Sequence, residues 1–272
     1  MNSTTPSGIQ PHNARPAAVW SSGGKHYEEI SRGIADSLEH CVFRLNPKPG
    51  ERILDLSTGT GWTSRLVARR GATVVGVDIA ADLLDAARAS AAAEGLRIEY
   101  QLGDAESLPF EDGAFDAVIS TVGVMFATRQ EAAAEELARV VRKGGRIALT
   151  TWTPDGNVAA MFGVMKRYMH APPSPAPRSP FEWGDPARVR ELLGGAFTLR
   201  FERATSFYRE PSAEAAWWAF STGYGPAKSL AMSLDPNRLE QFRDDFIAFH
   251  KTFATELGIC VPRDYLLTVG VR

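Results

Sequence analysis

Apolar positions along the first half of the chain alternate between two rhythms. Residues 35–45 show helical spacing, and a turn at Pro47 to Gly50 leads into the short apolar run RILDL at 52–56, which reads as a buried strand. Gly59 and Gly61 interrupt it, residues 62–69 restore a helical pattern, and Gly71 ends that helix. The β-branched run TVVGV at 73–77 is a second strand. An alanine-rich helix at 80–94, strands at 98–102 and 115–121, a helix at 129–141, a Gly144 and Gly145 turn and a strand at 146–152 continue the series. Strands that are apolar almost throughout, alternating with helices, require a mostly parallel sheet covered on both faces: a doubly wound α/β fold.

After Trp152 the rhythm changes. Five prolines fall within residues 171–180, too many for a sheet centre. Helical spacing returns at 158–169 and 186–193, a long strand at 197–208, and a mostly helical stretch at 212–259 with breaks near 223–226 and 235–236. Residues 265–271 read as a last strand.

Composition narrows the class. The 272 residues are 44% hydrophobic, enough for a large core, and 30 Lys plus Arg against 32 Asp plus Glu leave a formal charge of −2 with no long run of either sign. A nucleic-acid partner is disfavoured on that ground. Cys41 and Cys260 lack a CxxC partner and are expected to be free thiols in a reducing cytoplasm. No paired histidines suggest a metal, so none is expected. The first fifteen residues are polar and read as a loose tail, with no leader pattern. No stretch of eighteen apolar residues predicts a membrane span, so a cytoplasmic location is expected, as monomer or homodimer.

The candidate chemistry sits at strand ends. Asp55 to Gly61, DLSTGTG, lies where the first strand meets the first helix, and its glycines allow a tight turn and close approach of a ligand to backbone amides. Asp78 ends the second strand seventeen residues after Gly61, a position from which a carboxylate accepts ribose hydroxyls. Asp104 follows the third strand. All three exits of a parallel sheet open on one edge, so the three carboxylates are predicted to converge. A dinucleotide reading fits less well: Ser64 replaces the third glycine of Gly-x-Gly-x-x-Gly, no basic residue is offered to a pyrophosphate, and Asp55 adds negative charge. The Gly-Lys-Ser/Thr ending of a P-loop is absent.

DLSTGTG at 55–61, VGVD at 75–78, GDAESLPF at 103–110, FDAV at 115–118 and VRKGGRI at 141–147 resemble the successive motifs of class I S-adenosylmethionine-dependent methyltransferases, and within them the small-molecule, quinone-biosynthesis-like branch. The resemblance implies a seven-stranded sheet in the order 3-2-1-4-5-7-6 with the last strand antiparallel. It also implies S-adenosylmethionine as cofactor and S-adenosylhomocysteine as product. By similarity, Asp55 and the loop Ser57, Thr58, Gly59, Thr60 and Gly61 flank the methionine part, Asp78 the ribose and Asp104 the adenine amine. Ala105 offers its backbone, Ile79 and Leu83 apolar contact, and Thr121 and Val122 line the methyl end. Ser57 stands where the motif commonly has glycine, and it fits if it keeps a negative φ. One methyltransferase domain over 1–272 is implied, with an N-terminal lid at 16–45, a cofactor core at 46–152, and the remaining sheet elements at 153–272, of which 212–259 form a helical cap.

Tyr27 and Arg32 in the lid are further cofactor candidates, the arginine toward the methionine carboxylate. Trp20, Met125, Phe126, Trp152, Trp217, Trp218 and Tyr224 are acceptor-side candidates and favour a small apolar or aromatic acceptor. In-line methyl displacement needs a base only if the acceptor loses a proton, and His26, His170 and His250 are the candidates. The expected activity is methyl transfer to an O, N or C atom of a small molecule. A noncatalytic cofactor-binding protein, an NAD-dependent oxidoreductase and an RNA or protein methyltransferase are the competing readings.

Overall fold

The computed structural model describes residues 8–170 and 177–272. Three helices, α1 (Ala14–Ser21), α2 (Tyr27–Arg32) and α3 (Ala35–Leu45), precede β1 (Arg52–Leu56). The alternating series follows as expected: α4 (Trp62–Ala68), β2 (Thr73–Asp78), α5 (Ala81–Ala93), β3 (Glu99–Leu102), β4 (Phe115–Thr121), α6 (Gln130–Val140) and β5 (Val141–Trp152). Then come α7 (Asn157–Lys166), α8 (Pro186–Leu193), β6 (Thr198–Glu210), α9 (Ala213–Gly223), α10 (Gly225–Ser233), α11 (Pro236–Lys251), the two-residue β7 (Ala254–Thr255) and β8 (Gly258–Val271).

The sheet order is β3-β2-β1-β4-β5-β8-β6, with β7 paired to β8 off this path. With that two-residue strand set aside, the order is 3-2-1-4-5-7-6. β1 to β5 are mutually parallel, and β8 runs antiparallel to both neighbours. Burial explains why the central strands lack polar alternation: Ile53, Leu54, Val77, Ala117, Val118 and Ile147 are all sealed by helices on both faces.

Several local expectations change. Gly144 and Gly145 do not turn the chain into a strand; β5 runs through them, with Val141 opposite Phe115 and Arg146 opposite Ala117. Gly144 has φ +71°, and a Cβ on Gly145 would lie 2.8 Å from the Asp116 carbonyl, so this irregular register needs glycine. The helical stretch expected over 212–259 ends at Lys251, because the chain then enters the two-residue β7 and, from Gly258, the long β8 paired with β6. The loose tail is also corrected. Residues 1–7 lie outside the described residues, but Pro11–Asn13 form a 3-10 turn leading into α1. Of the proline-rich stretch, 171–176 lie outside the described residues, and Pro180–Gly184 form a turn capped by Ser179 and Glu182. Cys41 and Cys260 are free thiols. Among the described residues, no helix is long and apolar enough to cross a membrane, and no cluster of His, Cys, Asp or Glu is placed to hold a metal.

Candidate functional site

The carboxyl ends of β1 to β4 open on one crevice. Trp20, Tyr27, Ser57, Thr58, Gly59, Asp78, Ile79, Leu83, Asp104, Ala105, Thr121, Val122 and Phe126 line it, all of them sequence candidates.

The loop after β1 is fixed from beneath. Thr58 Oγ1 and Ser64 Oγ each donate to Asp55 Oδ2 at 2.6 Å, while Asp55 Oδ1 has no protein partner. Asp55 is fully buried, is not part of the crevice lining, and burial raises its pKa to about 6 against the lowering effect of its two hydroxyl donors. Its role in this geometry is to hold the loop's shape. Thr60 turns away, donating to Glu28 on α2, which also pairs with Arg65 at 2.5 Å. Gly61, at φ +76°, makes room for Tyr100, whose hydroxyl would lie 2.3 Å from an added Cβ.

Asp78 is different: it is 6% exposed and forms part of the wall. Its Oδ2 accepts from the Gly59 amide at 2.8 Å and its Oδ1 from the Ala80 amide at 2.9 Å, so the loop and the start of α5 orient both oxygens. Burial lifts its pKa to about 6 despite those amides. Asp104 is clamped by the N-terminal segment, its Oδ2 accepting from the Gln10 amide at 3.0 Å and Asn13 Nδ2 at 2.9 Å. Asn13 also accepts from Thr128 Oγ1 at 2.7 Å, tying the end of the β4 exit to the same turn.

Two non-glycine residues of this wall have left-handed backbones, Ser57 at φ 58° and Val122 at φ 55°. The negative φ expected of Ser57 is therefore wrong. Its Cβ occupies the space beside Gly123, where a second Cβ would approach to 2.4 Å. The exits of the parallel neighbours β1 and β4 come this close at Ser57 and Gly123.

The opposite wall is aromatic. Trp20 meets Phe126 at 4.9 Å, Tyr27 at 6.2 Å and Tyr224 at 5.6 Å between ring centroids, and Tyr27 and Tyr224 stack at 6.4 Å. Phe162 on α7 extends the cluster, 6.2 Å from Phe126 and 6.3 Å from Tyr224. Tyr27 covers Gly59, and burial together with the Asp78 charge pushes its hydroxyl pKa well above the usual tyrosine value.

The remaining candidates lie elsewhere. Arg32 is exposed and pairs with Glu29 at 3.2 Å. Met125 is fully buried in the core, and Trp152 packs against Tyr265 at 6.3 Å. Trp217 packs against Phe242 and Phe246 of α11, and Trp218 is 62% exposed. His26 and His170 are exposed, and His250 is buried with Nδ1 donating to the Phe246 carbonyl at 2.9 Å. None of the three lines the crevice. Asn13, Ser31, Ile34, Leu38 and Phe162 escaped the sequence reading. The helical spacing of 35–45 marked Leu38 as inward-facing, but nothing local marked Asn13 or Phe162.

Comparison with known proteins agrees with this arrangement. Residues 54–149 match a family model described as a methyltransferase domain. An uncharacterized protein of Mycobacterium tuberculosis is 41% identical over 180 residues, and the match spans 65% of this chain and 65% of that protein. A demethylmenaquinone methyltransferase of Thermus thermophilus is 43% identical over 122 residues, covering 44% of this chain and 54% of that one. The solved structure of a putative methyltransferase from Bacillus halodurans superposes with a TM-score of 0.61 at 19% identity, covering 87% of this chain and 98% of that one. The strand order is that of a Rossmann-like class I methyltransferase fold, and the matched segment, residues 54–149, carries the strand exits that line the crevice.

Proposed function

We propose that this chain binds S-adenosylmethionine in the crevice and catalyses methyl transfer to an O, N or C atom of a small apolar or aromatic acceptor. The observation that carries the reading is Asp78: a buried carboxylate at the β2 exit, forming part of the crevice wall, with both oxygens oriented by backbone amides. Each oxygen keeps lone-pair capacity beyond its amide, which suits a pair of ribose hydroxyls. The Gly59 backbone, the Ala105 backbone and the apolar side chains of Ile79 and Leu83 suit the rest of an adenosine.

When bound, the cofactor supplies a methyl group on a positively charged sulfur. The chain's own contribution is orientation and exclusion of water. Ser57 and Thr58 hold one end, Thr121 and Val122 the exit of β4, and the rings of Trp20, Tyr27 and Phe126 cover the crevice and offer π faces to a cation. None of the three histidine candidates lines the crevice, so an acceptor that ionises readily, or one that needs no deprotonation, suits this site. The N-terminal helices over the crevice favour a small acceptor over a macromolecule. The relative named for demethylmenaquinone supports a quinone-like ring among the candidates.

Calorimetry with S-adenosylhomocysteine is expected to give one site per chain. Asp78→Ala, which removes two charge-assisted hydrogen bonds of about 1.5–3 kcal/mol each, should weaken binding by about 100-fold or more. Radioactive methyl from the donor should pass into material extractable by organic solvent. Stoichiometric NAD binding with no response to S-adenosylhomocysteine would overturn the reading, and label appearing in RNA or protein would overturn the acceptor size.

A further inference from the structure

β6 and β8 continue as a two-stranded ribbon past the level where β5 ends, marked by the pairing of Trp152 with Tyr265. Arg263, two residues beyond that level and opposite Ser206, stands at the edge of the sheet on which the crevice opens. It is only 4% exposed. Its guanidinium lies 3.9 Å from the centroid of the Tyr208 ring and 5.5 Å from that of Phe220. Among the described residues, no carboxylate comes within 4.0 Å of it, and its Nη2 has no hydrogen-bond partner. Glu210 bears on its charge from beyond ion-pairing distance.

Two more unspent polar atoms accompany it. The Tyr208 hydroxyl and His250 Nε2 are buried without partners, and Tyr208 and His250 sit with ring centroids 6.4 Å apart. The Nδ1 of His250 donates to the Phe246 carbonyl, so Nε2 is left as an acceptor. Tyr224 lies between this cluster and the crevice: its ring is 5.3 Å from Phe220 on one side and stacks on the other on Tyr27, which lines the crevice.

A guanidinium stays charged at neutral pH, and a buried charge without a counter-ion is unfavourable even with π faces beside it. Its forked donors match a carboxylate. We propose that Arg263 receives the carboxylate of the acceptor, so that the substrate class is a small aromatic or apolar acid held with its carboxylate at Arg263 and its body along Phe220 and Tyr224 toward Tyr27. This rests on the methyltransferase reading above. The carboxylate is a recognition group here, and the methyl-accepting atom lies elsewhere on the molecule.

The test titrates benzoate, phenylacetate and cinnamate, each against its carboxamide, into the full chain saturated with S-adenosylhomocysteine. At least one acid should bind about tenfold or more tightly than its amide. Arg263→Gln should erase that preference while leaving S-adenosylhomocysteine affinity within about twofold, and Arg263→Lys should retain part of it. Equal binding of every acid and amide by the parent overturns the proposal, as does a preference that survives in Arg263→Gln. Should Arg263→Gln fail to fold, the parent comparison and Arg263→Lys decide: a preference unchanged in the lysine variant also overturns it, because an ammonium cannot reproduce the fork. S-adenosylhomocysteine binding is read first and separately. Its absence defeats the methyltransferase reading, whereas its presence with no acid preference defeats only the role of Arg263.

Discussion

The two walls of the crevice are assembled differently. The loop wall draws Ser57, Thr58, Gly59, Asp78, Asp104 and Val122 from one continuous stretch, each placed by the end of a parallel strand. The aromatic wall draws Trp20, Tyr27 and Phe126, backed by Phe162 and Tyr224, from four separate parts of the chain that meet through their rings. Backbone hydrogen bonding makes the first wall a property of the sheet, and side-chain packing makes the second a property of the tertiary assembly. The first suits a constant ligand part, and the second suits variation in what is recognised.

If that contrast holds, Tyr224→Ala should damage one wall and spare the other. Truncating a buried aromatic that touches Trp20, Tyr27, Phe162 and Phe220 should cost about 3–5 kcal/mol of stability in denaturant unfolding. The folded fraction should keep S-adenosylhomocysteine affinity within about threefold and lose methyl transfer. A parallel collapse of cofactor affinity would show that the walls act as one unit.

A smaller effect concerns pH on the loop wall. Burial raises Asp78 to about 6, so the empty protein takes up a proton there as pH falls from 7 toward 5. Above pH 6 the buried charge costs the empty protein stability, because the unfolded carboxylate ionises near its ordinary value of 3.8. Hydroxyl donors from a ligand favour the charged form, so affinity for S-adenosylhomocysteine should be full above about pH 7 and fall about tenfold by pH 5. Asp55, also raised to about 6, adds to the slope in the same direction if the loop loosens on its protonation. Calorimetry at half-unit steps measures the slope, and Asp78→Asn should flatten most of it. A flat profile in the parent would remove Asp78 as the ligand-facing carboxylate.

The smallest effect is at Ser57. Replacing it with glycine relieves a left-handed serine worth about 1–1.5 kcal/mol and adds an unfolded-state entropy cost of about 0.5–1 kcal/mol. The expected net gain is about 0.5 kcal/mol, seen as a rise in Tm of about 1–2 °C. A loss of stability would mean that Ser57 contributes more through its contact with Gly123 than it loses in backbone strain.

What could be read before folding follows from the sheet itself. Hydrophobic runs bounded by glycine place β1 to β4, and any parallel sheet brings its strand exits to one edge, so the convergence of Asp55, Asp78 and Asp104 needed only their positions after those runs. Whether each carboxylate faces the crevice is decided by side-chain partners distant in sequence or hidden by the loop's shape. Asp55 turns under the loop to Thr58 and Ser64, Asp78 forms the wall, and Asp104 is engaged by Gln10 and Asn13, more than ninety positions away. The aromatics show the same division. Trp217 and Trp218 looked as suited to the crevice as Tyr224, yet α9 turns Trp217 toward Phe242 and Trp218 to solvent, while Tyr224, just past the end of the helix, stacks on Tyr27. Arg263 carried no local signal at all, since it falls two residues before the apolar run read as the last strand and is enclosed only when the ribbon, α9 and α11 close around it. Strand exits are determined by backbone periodicity, which is local; which side chain meets which across the crevice depends on helix rotation and ribbon length, and these are settled only when the elements pack.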